Sequence, residues 1–426
     1  MTETLERGTR TSTTPGVRRS RLSPRAAFAL QVSMLVLFLA AASAPTPLYA
    51  VYQAEWGFSP VTVTVIFGVY ALAVLAALLT VGSLSDHIGR RPVLIAAILV
   101  QAVALVVFAT AEGVPALLAA RVAQGLSTGA AVGALGAGLL DLNRTRGTIA
   151  NGVGSVAGTA VGAIGSGLLV QFLPAPTHLI YLSLLGILVL QGIGVALMPE
   201  SAARAAGALA SLRPQLGLPQ SARRPLLLAV PALVAVWSLA GFYGSLGPSL
   251  VRGVAGSNAI VLGGLGLFVL AAAGALTVLF VHAAEPRTVV LIGTTALISG
   301  VGVTLLAIAH TSTVAFFVGT AVAGVGFGAA FQGSLRSVLP LAAAHQRAGV
   351  LSTIYVICYL AMGLPAVVAG FVVVDGAGVL STARGYGLVV MALAGLALVG
   401  ALTRREAPGH DLDTVPVKAK VRCEAC

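Results

Sequence analysis

From residue 26 to residue 403 the chain alternates long apolar runs with short polar breaks. A helix needs about 20 predominantly apolar residues to cross the hydrocarbon core of a bilayer, and these runs have that length. They fall at 26–48, 60–83, 93–111, 114–140, 148–172 and 178–198. After a polar break at 199–224 they resume at 225–248, 258–281, 288–309, 312–337, 348–373 and 385–403. The pattern predicts an all-α integral membrane protein with twelve transmembrane helices. Residues 26–198 form an N-terminal six-helix bundle, 199–224 a central loop, and 225–403 a C-terminal six-helix bundle. Residues 1–25 are polar, rich in Ser, Thr and Arg, and read as a disordered arm, with 404–426 as a tail.

Composition supports the membrane reading. The chain is 58% hydrophobic and 9% charged, whereas soluble domains carry about a quarter charged residues. A net charge of +12 suggests nucleic acid at first sight. The basic residues, however, sit in short clusters between apolar runs, as topology signals do. Of the 25 Lys and Arg residues, only Arg252 and Arg384 lie in the junctions that follow odd-numbered spans, and Arg121 lies within a span. The rest occupy the termini and the alternate loops or, as Arg336 does, the span end that borders such a loop. The positive-inside rule therefore places both termini, the 82–92 hairpin and the central loop in the cytoplasm, with the chain multi-pass in the cell membrane.

Two stretches echo each other about half a chain apart. Gly125-Leu-Ser-Thr-Gly129-Ala-Ala in the fourth span recurs as Gly324-Val-Gly-Phe-Gly328-Ala-Ala in the tenth, and Arg146 before the fifth span matches Arg347 before the eleventh. The two six-helix halves thus read as pseudo-repeats, an architecture that in transporters puts the binding site at the interface of the repeats.

The second and third spans are joined by Gly82-Ser83-Leu84-Ser85-Asp86-His87-Ile88-Gly89-Arg90-Arg91-Pro92. This hairpin resembles the signature of the major facilitator superfamily through Gly82, Leu84, Ser85, Asp86, Gly89, Arg90 and Arg91. Arg121-Val-Ala-Gln124-Gly125 in the fourth span resembles the motif of that superfamily's proton-coupled drug exporters. The fifth span keeps a glycine ladder (Gly154, Gly158, Gly162, Gly165, Gly167), with Ala163 where the antiporter pattern has proline. The resemblance implies a twelve-helix drug/proton antiporter-like transporter that works as a monomer. It also implies a gating role for the hairpin, with Asp86 against the start of the eleventh helix near Gly349.

Gly82 and Gly89 permit a tight turn and close helix approach. Arg90 and Arg91 are placed to pair with Asp141 at the end of the fourth span, latching the cytoplasmic side. Arg121 lies inside a span, where an ionised group marks a functional site by default. Gln124 and Thr128 share its helical face. The thirteen Asp and Glu residues lie in tails, loops or span ends, so no buried carboxylate is available to relay protons, and Gln31 is among the few polar groups of the first span. Trp237, Tyr243, Phe331, Gln332, Tyr355 and Tyr359 are the candidates to line a cavity between the halves. A mainly apolar, aromatic cavity suits lipophilic or amphiphilic compounds.

Other classes find little support. Cys423 and Cys426 have zinc-like spacing without the four ligands that a structural site needs, so no metal and no cofactor is expected. No nucleophile–base arrangement suggests an enzyme, and no phosphate-cradling loop suggests an ATP-driven pump. The leading expectation is a secondary transporter exporting small hydrophobic compounds, in exchange for protons. The alternative is an uptake carrier for a small anionic metabolite met by Arg121.

Overall fold

A computed structural model describes residues 22–202, 205–214, 216–257, 259–343 and 346–403. Most of the expected N-terminal arm, the expected tail from 404 on and the Cys423/Cys426 pair lie outside the described residues. The helices in chain order begin with α1 (Pro24–Ser43), α2 (Pro45–Trp56), α3 (Pro60–Thr80), α4 (Ser85–Ile88) and α5 (Arg90–Ala109). Next come α6 (Val114–Leu142), α7 (Arg144–Phe172), α8 (Pro176–Leu197) and the short α9 (Ala208–Ser211). The chain continues with α10 (Gln220–Ser245), α11 (Gly247–Ala255), α12 (Ile260–Val281), α13 (Pro286–Ala309) and α14 (Thr313–Val338), and ends with α15 (Arg347–Val372) and α16 (Gly378–Thr403). No strand occurs among the described residues.

Local chemistry sets many of the boundaries. Proline occupies the first turn of α1, α2, α3, α8 and α13, where its missing N–H costs nothing. Ser23, Ser59, Asn143 and Ser312 cap helix starts with a side-chain oxygen. Among the described residues, eleven helical runs are long and apolar enough to cross a membrane. The last of them, Arg347–Thr403, spans 57 residues. It joins α15 to α16 through a π-helical segment, Val373–Ala377, whose Gly376 has a φ of 103°.

Three expected boundaries shift. The first span is not one helix, because it breaks at Ala44 and resumes as α2 out to Trp56. The seventh starts at Gln220, inside the expected central loop, and the last starts at Gly378 rather than at 385.

Two large apolar cores form, beside two smaller clusters. One is built from residues between Ala27 and Met198, with Phe38, Leu94, Phe108 and Tyr181 at its centre. The other draws mainly on residues between Ala235 and Ala394, including Phe242, Leu270 and Phe316. The outer rim is apolar as well: Phe280 is 77% exposed and Leu190 69%. That is the surface of a body solvated by lipid rather than water.

The N-terminal and C-terminal helix sets meet along two seams, α7 on α12 and α3 on α15. Small residues allow the approach. The Ala163 carbonyl lies against Gly264, and Val367 lies 3.0 Å from where a β-carbon on Gly68 would stand. The glycine ladder of α7 serves packing too, with Gly158 and Gly162 pressed against the α1 backbone at Val36 and Ala40.

Candidate functional site

Chemistry concentrates in three places. The first is the 82–92 hairpin at one end of the bundle. Gly89 adopts a φ of +104°, which side-chain-bearing residues rarely do, and this turns the chain from α4 into α5. Arg90 is 6% exposed. Its guanidinium pairs with Asp86, with Asp141 at 3.1 Å and with the Ser85 hydroxyl at 2.7 Å.

The carboxylate of Glu200, from the segment after α8, accepts the backbone N–H groups of Arg90 at 2.8 Å and Arg91 at 3.1 Å. It thereby caps the α5 N-terminus, where a negative charge is stabilised. Ser83 donates to the Ser211 carbonyl at 3.0 Å, and the Ala205 N–H donates to the His87 carbonyl at 2.9 Å. The connecting segment is thus laid over the hairpin.

Two expected contacts are replaced. Arg91 donates to the Ala196 carbonyl rather than to Asp141. Among the described residues Asp86 pairs with Arg90, and the α15 start at Gly349 is covered by the backbone of Gly217. The ion pairs tie together elements of the N-terminal set, while the chain between the sets covers α15.

The second place is Arg121, fully buried at 0% exposure. Its Nη1 donates to the Ala42 carbonyl at 2.8 Å and to Gln124 Oε1 at 2.7 Å. Its Nε and Nη2 donate to the Tyr49 hydroxyl at 3.0 and 2.5 Å. The rings of Tyr70, Tyr49 and Phe108 surround the guanidinium carbon at 5.0, 5.6 and 5.7 Å. The side chain therefore points into the bundle and does not reach out to headgroups. Thr128 lies beside Tyr70.

Proline explains why these groups are needed. Pro45 lacks the N–H that would close a helical hydrogen bond onto the Ala41 carbonyl, and Gln124 Nε2 supplies one at 2.9 Å. Pro248 leaves the Gly244 carbonyl open in the same way, and Thr46 donates to it at 3.0 Å from the other helix set. Pro365 frees the Ala361 carbonyl, and Ser238 donates to it at 3.1 Å.

The third place is an aromatic cluster where the sets meet. Trp237 stands edge-on to Phe331 at 5.7 Å and tilts against Tyr359 at 5.0 Å, with Tyr355 6.2 Å from Tyr359. Trp237 and Tyr359 pack against Phe67, Ala71, Met362 and Ala366 of α3 and α15. Among the described residues the buried Trp237 indole N–H has no hydrogen-bond partner. Gln332 is half-buried next to Gly152 of α7.

Two candidates lie elsewhere. Tyr243 turns into the C-terminal core, its hydroxyl 2.8 Å from Thr320. Gln31 packs against Gly138 and donates to the Met198 sulfur at 3.4 Å. It stands about 16 Å along α1 from the Ala42 carbonyl that meets Arg121, at 1.5 Å per residue.

The Major Facilitator Superfamily profile matches residues 32–364. The chain belongs to the major facilitator superfamily. Among solved structures, the crystal structure of the human organic anion transporter MFSD10 (TETRAN) is similar over 88% of this chain and 100% of that one, with 20% identity and a TM-score of 0.62. The nucleoside transporter NupG, solved as a point mutant, is similar over 88% of this chain and 98% of its own, with 14% identity and a TM-score of 0.64. No curated protein sequence matches the chain. As a member of this superfamily, the protein is a membrane transporter of small molecules.

Sequence reasoning missed the partners that make this superfamily member's buried arginine tolerable. Tyr49, Tyr70 and Phe108 come from three different helices, so no local spacing links them to Arg121. One signal was available, since Pro45-Thr46-Pro47 near the end of an apolar run announces a broken helix with open carbonyls.

Proposed function

We propose that the protein exports small lipophilic or amphiphilic compounds by alternating access, in exchange for protons. In this reading it crosses the cell membrane twelve times as a monomer, in two six-helix halves (26–198 and 225–403) with both termini cytoplasmic. The observation that carries the reading is the Trp237–Phe331–Tyr359–Tyr355 cluster, which lies where the sets meet and contains no ionised side chain. Such a surface binds ligands through apolar and aromatic contact. Gln332 joins it as a polar contact. The hairpin network of Gly82, Asp86, Gly89, Arg90, Arg91 and Asp141 governs opening on the cytoplasmic side. With no carboxylate inside the spans, the exchanged proton travels through waters near Arg121.

Expression in a pump-deficient host should raise resistance to several unrelated aromatic toxicants, and Trp237→Ala should remove that resistance. In proteoliposomes an imposed pH gradient should accelerate transport, and rates indifferent to the gradient would remove protons from the scheme. A second reading, an uptake carrier for a small anionic metabolite, is favoured by the lone charge of Arg121 and by the likeness to an organic anion transporter. Accumulation of one labelled anion without any resistance phenotype would establish that reading instead.

A further inference from the structure

Among the described residues no carboxylate pairs with Arg121. A guanidinium stays protonated in proteins, and the groups that hold this one are a carbonyl, an amide and a phenol, all neutral. Every Asp and Glu among the described residues lies in a connection or at a helix end. Glu55, at the end of α2 near Tyr52, is exposed, so solvent screens it. Arg90 differs, because two carboxylates neutralise it.

The charge is not available for direct contact, since the Ala42 carbonyl, Tyr49 and Gln124 engage its Nε, Nη1 and Nη2 and three rings wrap it. Its field still extends. Tyr70 of α3 lies 5.0 Å from the guanidinium, and Phe67 and Ala71 of the same helix pack against Trp237 and Tyr359 of the aromatic cluster. One helix therefore touches both Arg121 and the cluster, and the charge acts across a protein interior that screens poorly.

We infer that the uncompensated charge of Arg121 makes the aromatic site select by charge, taking neutral or anionic aromatic compounds and rejecting organic cations. This rests on the proposal that the Trp237 cluster binds substrate. At an effective dielectric of about 20, any two unit charges about 12 Å apart shift a binding constant about tenfold, and this sets the scale expected. A monocation therefore binds about tenfold more weakly than its neutral isostere, and a monoanion binds more tightly than either.

The test uses three probes of one shape: 2-naphthamide, 2-naphthoate and 2-naphthylmethylammonium. Each is titrated into the purified full chain carrying Trp56→Phe, so that quenching reports on Trp237, the remaining tryptophan. The expected order is naphthoate, then naphthamide, then the ammonium, with about tenfold between the last two. Gln124→Glu places a carboxylate beside Arg121 where the amide oxygen now sits 2.7 Å away. It should collapse the spacing of the three affinities to under about threefold, as should Arg121→Gln if the first variant does not fold. Equal affinities for all three probes in the starting protein overturn charge selection and leave the aromatic site standing. Spacing unchanged in both variants overturns Arg121 as its source. Quenching by none of the probes overturns the aromatic site and this inference together.

Discussion

Arg90 and Arg121 are both buried arginines of the N-terminal helix set, yet they are held by opposite means. Arg90 sits at the end of the bundle between two carboxylates, and its partners Asp86 and Asp141 keep side-chain exposures of 53% and 35%. Arg121 sits inside the bundle, with only neutral acceptors and aromatic faces around it. At the exposed end, charges are cheap and can be exchanged as contacts open and close. In the interior, a charge persists only where hydrogen bonds hold it on every side. The first arrangement suits a switch and the second a fixed structural member with a field.

The largest effect should come from Arg121→Ala. It leaves the Ala42 carbonyl and the Tyr49 hydroxyl buried without a donor and opens a cavity, so a loss of about 4 kcal/mol is expected. Thermal unfolding of the purified protein in detergent checks this, and a loss no larger than that of Arg90→Ala would break the comparison. Arg121→Lys keeps the charge but loses the planar fork that reaches Tyr49, Ala42 and Gln124 together, for a loss of about 2 kcal/mol. Gly89→Ala must force φ +104° onto a residue with a β-carbon that meets the Glu200 carboxylate. It should cost about 1–2 kcal/mol and slow transport by unseating the α5 cap.

Smaller effects follow at the exposed end and at the seam. Arg90→Ala leaves carboxylates that water can reach, so stability should fall by only about 1 kcal/mol while the transport rate falls several-fold. Thr46→Val leaves the Gly244 carbonyl without its donor across the seam, at a cost of about 1 kcal/mol. Labelling of a cysteine placed at Ser245 should then become faster, and unchanged labelling would show that this bond does not hold the two sets together.

How much of this was legible in the sequence depended on whether the cause was local. Apolar runs, the hairpin and the buried position of Arg121 are statements about neighbours in the chain, and they could be read directly. The pairing of Arg90 with Asp141 was readable because both ends carry charge at predictable span termini. The break at Ala44 was missed because Pro45 and Pro47 fall at the edge of an apolar run that hydropathy alone treats as continuous. The cage around Arg121 and the donors to Ala41, Gly244 and Ala361 depend on how helices pack, which side-chain periodicity does not reveal. Tyr243 was grouped with Trp237 because both lie on one span, but they are six positions apart and turn to different neighbours. The polar groups of Gln31 and Arg121 likewise occupy different levels of the same bundle.

The most direct test of the account is transport of a neutral aromatic probe through the Trp237 cluster. Counterflow of labelled 2-naphthamide in proteoliposomes should be saturable in the natural sequence and should fall at least about tenfold in kcat/KM with Trp237→Ala, the scale of losing an aromatic contact at a binding site. Trp56→Phe, which lies outside that cluster, provides the matched control. Counterflow that Trp237→Ala leaves as fast as the control would contradict the assignment of substrate to this seam.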